Sequence, residues 1–167
     1  MGNLAGNFTT TARIEHGPRG PHIVSAANPF VARMHEVEGT QPGDALMLAT
    51  RALRHDPGCI EALVFLSHRT KTFDLRLEHL QTAVDAGDHL WRTTADELGE
   101  AMAWWDIPAT RPYMLAIQEL GDAHAEIGNT VAARWCYERL LRMNPNDDQG
   151  IAASFDELDA TAAPRMR

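Results

Sequence analysis

The chain is poor in cysteine and lysine and has no long apolar run. Its two cysteines, Cys59 and Cys136, stand in apolar stretches, with no CxxC and no Cys/His grouping at zinc spacing. That excludes a disulfide framework and a zinc ribbon, and leaves two buried free thiols as the expectation. Lys71 is the single lysine among fifteen basic residues, which are dispersed and outnumbered by 23 acidic ones. The formal net charge of -8 repels phosphate backbones and anionic lipid surfaces, so neither nucleic acid nor membrane is an expected partner. The arginine bias is that of GC-rich coding and points to a bacterium. No stretch reaches the roughly 20 apolar residues that span a bilayer. No basic segment followed by an apolar run marks a signal peptide, so the expectation is a cytoplasmic protein.

Catalytic patterns are also missing. There is no HExxH, no GxSxG and no Gly-rich phosphate loop, so no catalytic residue, cofactor or metal is expected. Asp122 and Glu126 share a helix face, but His124 between them points to the other side, so the three do not hold one ion. His124 is expected to pack inside a helical hairpin, with both carboxylates solvated. His35, Glu36 and Glu38 do not share a face either. His55 falls at a helix C-terminus, where the dipole favours a charged imidazole, and His79 and His89 stand alone.

What is present is helical periodicity in a chain of ordinary apolar content, 44%. The fold class expected is all-α, with essentially no sheet. Residues 1–26, with Gly17-Pro18-Arg19-Gly20-Pro21, read as a flexible arm, residues 27–159 as one helical domain, and 160–167 as a loose tail. The first helix begins at Asn28-Pro29 and ends at Gly39. The second runs from Pro42 to Asp56-Pro57-Gly58 with Ala45, Leu48, Ala49, Ala52 and Leu53 inward. The third covers about Cys59 to Arg69. The fourth runs from Phe73 to Ala86, closed by Gly87. Thr94 with Glu97 fits a capping box, which predicts a fifth helix over 95–105. Residues 88–112 read as an irregular insert. A sixth helix is predicted from Tyr113 to Ile127, a seventh from Thr130 to Met143, and a short last one carries Ile151, Phe155 and Leu158.

Residues 114–147 fit one unit of about 34 residues, the tetratricopeptide period. Gly121 and Ala133 are small where two helices of a hairpin cross, Tyr137 fills the groove to the next helix, and Pro145 ends the second helix. A copy around Ala45, Ala49, Ala52 and Pro57 and another around Leu63, Leu66, Leu80 and Ala83 precede it, the latter with Ser67 in place of the usual Gly. Arg111-Pro112-Tyr113-Met114, Asn144-Pro145-Asn146-Asp147-Asp148-Gln149-Gly150 and the stretch from Ala52 to Leu63 add detail. Read together over about residues 27–155, they resemble bacterial tetratricopeptide-repeat proteins related to the suppressor of tumorigenicity seven. That resemblance implies a short α-solenoid with an interaction role and no catalytic residues.

In such a solenoid the first helix of each pair lines the concave side. By register that side carries Glu61, Val64, His68 and Lys71 in one unit and Leu115, Gln118, Asp122 and Glu126 in a later one. The mixture suits a basic or amphipathic peptide or protein partner, and the chain is expected to act as an adaptor or scaffold. The alternatives are a self-associating structural protein, that is, a homo-oligomer, and a hydrolase-type enzyme with its site at the insert. Trp135 is expected in the core. Trp91, Trp104 and Trp105 are expected to plug the insert, in preference to forming an aromatic anchor. Arg111 is expected to bond to Asp147 and Asp148.

Overall fold

The computed structural model describes residues 12–17, 20–25, 28–98 and 104–162, with side chains over 28–91 and 104–160. The chain divides into two compact units, Met1–Leu98 and Gly99–Arg167. The boundary falls inside the segment read as an insert. The fold is all-α in its body: seven α-helices and two short 3-10 turns occupy most of the described residues.

The first unit opens on a feature the sequence reading placed in a flexible arm. Strand β1 (Ala12–Gly17) pairs antiparallel with β2 (Gly20–Ser25), Ile14 opposite Ile23 and Gly17 opposite Gly20. Gly17 and Gly20 of the expected breaker run are therefore paired strand residues, and Pro18 and Arg19 lie outside the described residues. Residues 1–11 of the expected arm lie outside the described residues. A lone two-stranded hairpin is marginal in water, and here β1 runs beside a helix, α4 (Phe73–Leu98).

Four helices follow, each packed on the next: α1 (Val31–Val37), α2 (Pro42–His55), α3 (Ile60–Ser67) and α4. Alanines at 45, 49 and 52 recur on one side of α2 and are fully buried. Their small size lets Met34 and Val37 of α1 and Ala62 and Phe65 of α3 close around the helix, forming one apolar cluster with Cys59. Burying a side chain the size of Phe65 contributes roughly 2–3 kcal/mol. The corner between α2 and α3 is fixed by Asp56, whose Oδ1 accepts from the Gly58 N–H at 2.9 Å. Asn28 donates to the Ala52 carbonyl at 3.1 Å and so ties the start of α1 to the end of α2. Ser67 is buried and donates to the Val64 carbonyl at 2.7 Å.

Gly87 does not end α4. It is buried mid-helix, and α4 continues unbroken for 26 residues to Leu98. The predicted fifth helix starting at Ala95 is therefore the end of α4, and Thr94 is no N-cap. Residues 99–103 of that prediction lie outside the described residues. A single Gly costs a helix about 1 kcal/mol, and no proline or capping group follows it to stop the chain. Trp91 lies on this continuation and is buried in the first unit.

The second unit begins with 3-10 turns at Trp104–Asp106 and Pro108–Thr110. The Thr110 hydroxyl donates to the carbonyls of Trp104 and Ile107, joining the two turns. Helices α5 (Arg111–Glu126), α6 (Thr130–Met143) and α7 (Ile151–Ala162) follow, α5 on α6 and α6 on α7. The expected loose tail is thus helical as far as Ala162, and 163–167 lie outside the described residues. Pro112 stands in the first turn of α5, where a missing N–H leaves no bond unmade. Gly128 takes the left-handed φ of +73° that ends α5, and the Asn129 side chain accepts from the Ala132 N–H to start α6.

Arg111 does not reach Asp147 or Asp148. Its Nε donates to the Trp105 carbonyl at 2.8 Å and its guanidinium lies over the Trp105 ring. Asp147 is committed elsewhere: Oδ1 accepts from the Ile151 N–H at 2.6 Å and Oδ2 from the Ala152 N–H at 3.0 Å. It thus satisfies the first donors of α7 while holding a left-handed φ of +54°. Asp148 pairs with the Asn144 amide, which donates to its Oδ2 at 2.9 Å and accepts from its N–H at 3.0 Å. Asp147→Ala removes both acceptors and puts a poorly suited residue at positive φ, so it costs about 1–2 kcal/mol. Asp147→Asn, which tolerates that φ and keeps one acceptor, costs less. Urea unfolding of the three proteins checks the order; equal midpoints would remove Asp147 as the device that starts α7.

Candidate functional site

A glycine makes α5 and α6 approach closely. A Cβ on Gly121 would sit 2.7 Å from Tyr137 Cε1 and 3.0 Å from Cys136 Cβ. Ala133, on the same side of α6, is fully buried. The missing side chain lets the Tyr137 ring lie directly over the α5 backbone. From there its hydroxyl donates to Asp122 Oδ1 at 2.6 Å. One helical step therefore joins a packing device, Gly121, to a polar one, Asp122.

α7 closes over this pair and leaves a groove of about 250 Å³ lined by Asp122, Ala125, Tyr137, Ser154, Glu157 and Leu158. Its lining holds two carboxylates and two hydroxyls beside the apolar Ala125 and Leu158. Burial pushes the Tyr137 phenol up from its ordinary value, and the hydrogen bond and charge of Asp122, with the charge of Glu157, push it the same way. The lining carries these two carboxylates and no basic side chain. It holds no histidine and no exposed thiol. Cys136 beneath it is buried, and burial raises its thiol to about 11, so it stays protonated and unreactive near neutrality. Among the described residues no three His, Cys, Asp or Glu side chains converge to hold a metal ion. Among them, too, no helix is long and apolar enough to cross a membrane.

The residues expected to contact a partner fall in both units. Glu61 is half-buried at the start of α3, with Cys59 Sγ 3.9 Å from its Oε2. Burial first, then the Glu61 charge, raises the Cys59 thiol to about 12. Val64 is half-buried on the same side of α3, and His68 is exposed just past its end. Lys71 is exposed in the turn beyond, off the helix register that was to align it with them. In the second unit Leu115, Gln118, Asp122 and Glu126 follow one stripe of α5, but they are not alike. Leu115 and Glu126 are exposed. Gln118 is half-buried and accepts from Gln149 Nε2 at 3.0 Å. Asp122, expected to be solvated, is half-buried and bonded to Tyr137; of the four it alone lines the groove. His124 is half-buried near the end of α5, 3.5 Å from Asn129 Nδ2, and burial holds its imidazole below the ordinary value.

Sequence reasoning missed Ser154, Glu157 and Leu158. Their spacing of three and four puts them on one face of α7, and Leu158 had been assigned to its apolar stripe. Trp135 is a further correction. It is 52% exposed, outside the core, with the Arg139 guanidinium 5.3 Å from its ring centre. Trp104 and Trp105 are half-buried in the second unit, and the Trp104 ring lies 6.4 Å from that of Tyr113. No protein-family model, curated protein or solved structure matches the chain.

Proposed function

We propose that this chain is a protein-interaction adaptor or scaffold of the tetratricopeptide-repeat kind, working in a bacterial cytoplasm, that takes a basic side chain of a peptide or protein partner into the groove at Asp122 and Glu157. The groove itself carries the reading: its lining combines the carboxylates of Asp122 and Glu157 with the apolar Ala125 and Leu158, and Asp122 belongs to the α5 stripe expected to face a partner. Supporting it are helices that pack in chain order and a hairpin crossing made close by Gly121 and Ala133. The carboxylate of Asp122 is held by Tyr137 and therefore needs little ordering when a partner arrives.

An array of randomised ten-residue peptides tests the proposal. The expected result is selection for arginine or lysine next to an apolar residue. Glu157 is exposed, so Glu157→Lys leaves the fold intact, and it is expected to lower binding of a selected peptide at least ten-fold. Unchanged binding, or selection for acidic peptides, would end this reading of the groove.

A further inference from the structure

A second surface, made by α6 and the turn before it, is apolar and open. Val131 is 80% exposed, and Trp135 and Ile127 are each 52% exposed. Val131 and Trp135 are one turn apart on the same face of α6. Trp135 is not loose. Arg139 donates to the Tyr113 hydroxyl, and its guanidinium lies 5.3 Å from the centres of both the Tyr113 and Trp135 rings. The indole is thus held against a cation anchored in the core, a rigid aromatic of the sort that dominates interface energies.

We propose that this face is where a second copy of the chain docks, α6 against α6, antiparallel about Trp135. Charge selects this occupant and this direction. The end of the face at Ile127 carries Glu126, whereas the other end carries Arg139 and Arg142 with a single acid, Glu138, and is net basic; Glu126, Glu138 and Arg142 are exposed. An antiparallel pair brings the acidic end of each copy to the basic end of the other. Arg142 then falls beside the turn at Gly128, next to Glu126 of the second copy, and Val131 falls beside Arg139. The exposed Glu138 is placed near Ala132 and Arg134 of the second copy. A parallel pair would set like charges together at both ends. The contact is isologous, so every pairing occurs twice. A face one helix wide and about 21 Å long is small against the roughly 800 Å² per partner of stable complexes. The association is accordingly weak, with a Kd of about 10–1,000 µM.

Sedimentation velocity on the full chain from 5 µM to 1 mM tests it. The expected result is a concentration-dependent rise from 18.5 kDa towards twice that mass. Trp135→Glu, with an unchanged circular dichroism spectrum, stays monomeric throughout. Arg142→Glu and Glu126→Arg each weaken the dimer at least ten-fold, and the two together restore it. A monomer at 1 mM, or a Trp135→Glu chain that dimerises as well as the wild type, overturns the proposal. So does a double variant no better than the singles, since the antiparallel register requires the rescue.

Discussion

Gly121→Val lowers the stability of the second unit by more than about 3 kcal/mol, and Gly121→Ala lowers it by about 1–2 kcal/mol. The alanine methyl alone would stand 2.7 Å from the Tyr137 ring and 3.0 Å from Cys136 Cβ. One of these contacts is to a Cβ, which moves only with the α6 backbone, so the two helices must part. Overpacking of this kind costs about 1–3 kcal/mol, and the better helix propensity of alanine returns up to 1. Valine adds two further methyls and little propensity, so nothing offsets its larger clash. Separating α5 from α6 also pulls the Tyr137 hydroxyl from Asp122, a bond to a charged group that contributes about 1.5–3 kcal/mol. Thermal unfolding followed by circular dichroism checks the order, each kcal/mol lowering the transition by roughly 4–8 °C in a unit of this size. The cost of Gly121→Ala is expected to shrink in a Tyr137→Leu background, where the ring no longer fills the space. A Gly121→Ala protein more stable than the wild type would mean that helix propensity outweighs the crossing.

The legible parts of the fold are those where several local signals agree. α6 runs from Thr130 to Met143 as predicted, because Gly128-Asn129 stops one helix and caps the next, and Asn144-Pro145 stops it in turn. At Gly87 only one such signal exists, and α4 runs through it. The β hairpin was hidden because its Gly-Pro pairs also read as breakers of a helix, while Ile14, Ile23 and Val24 are too few to stand out. Residue type alone places Trp135 in a core, whereas the register of α6 places it outside. The buried stripe of α6 is Ala133, Cys136, Tyr137, Leu140 and Met143, and position 135 lies off that stripe. Arg111 was paired with Asp147 by charge, before the capping needs of α7 claimed that carboxylate. Of the six residues lining the groove, only Asp122 stands among those expected to face a partner. Ser154 and Glu157 enter it through the way α7 lies over α6, and no local pattern encodes that.

Above pH 9 both units lose stability, each by about 1.4 kcal/mol per pH unit for its buried thiol. The ordinary value of 9.0 is raised to about 11 at Cys136 and about 12 at Cys59, in both cases chiefly by burial. Between the two values of each thiol the unfolded chain has released a proton that the native fold still holds. Rising pH therefore favours unfolding. The contribution is fully present below pH 9 and is lost as pH climbs towards the folded value. For Cys136 that window is two pH units wide and its loss amounts to roughly 3 kcal/mol, a large share of a small unit's stability. Tyr137 acts in the same direction from its ordinary value of 10.0 upward, since burial and Asp122 also oppose its ionisation. Urea midpoints at pH 7.5, 9, 10 and 11 under reducing conditions measure the slopes. Cys136→Ala is expected to start from a lower midpoint, having lost buried volume, yet to hold it between pH 9 and 10, before Tyr137 takes over. Cys136→Ala with Tyr137→Phe extends the flat region to pH 11. Should the Cys136→Ala curve fall in parallel with the wild type, burial of that thiol is not what limits the second unit in alkali, and the packing of α6 against Gly121 is looser than its distances state.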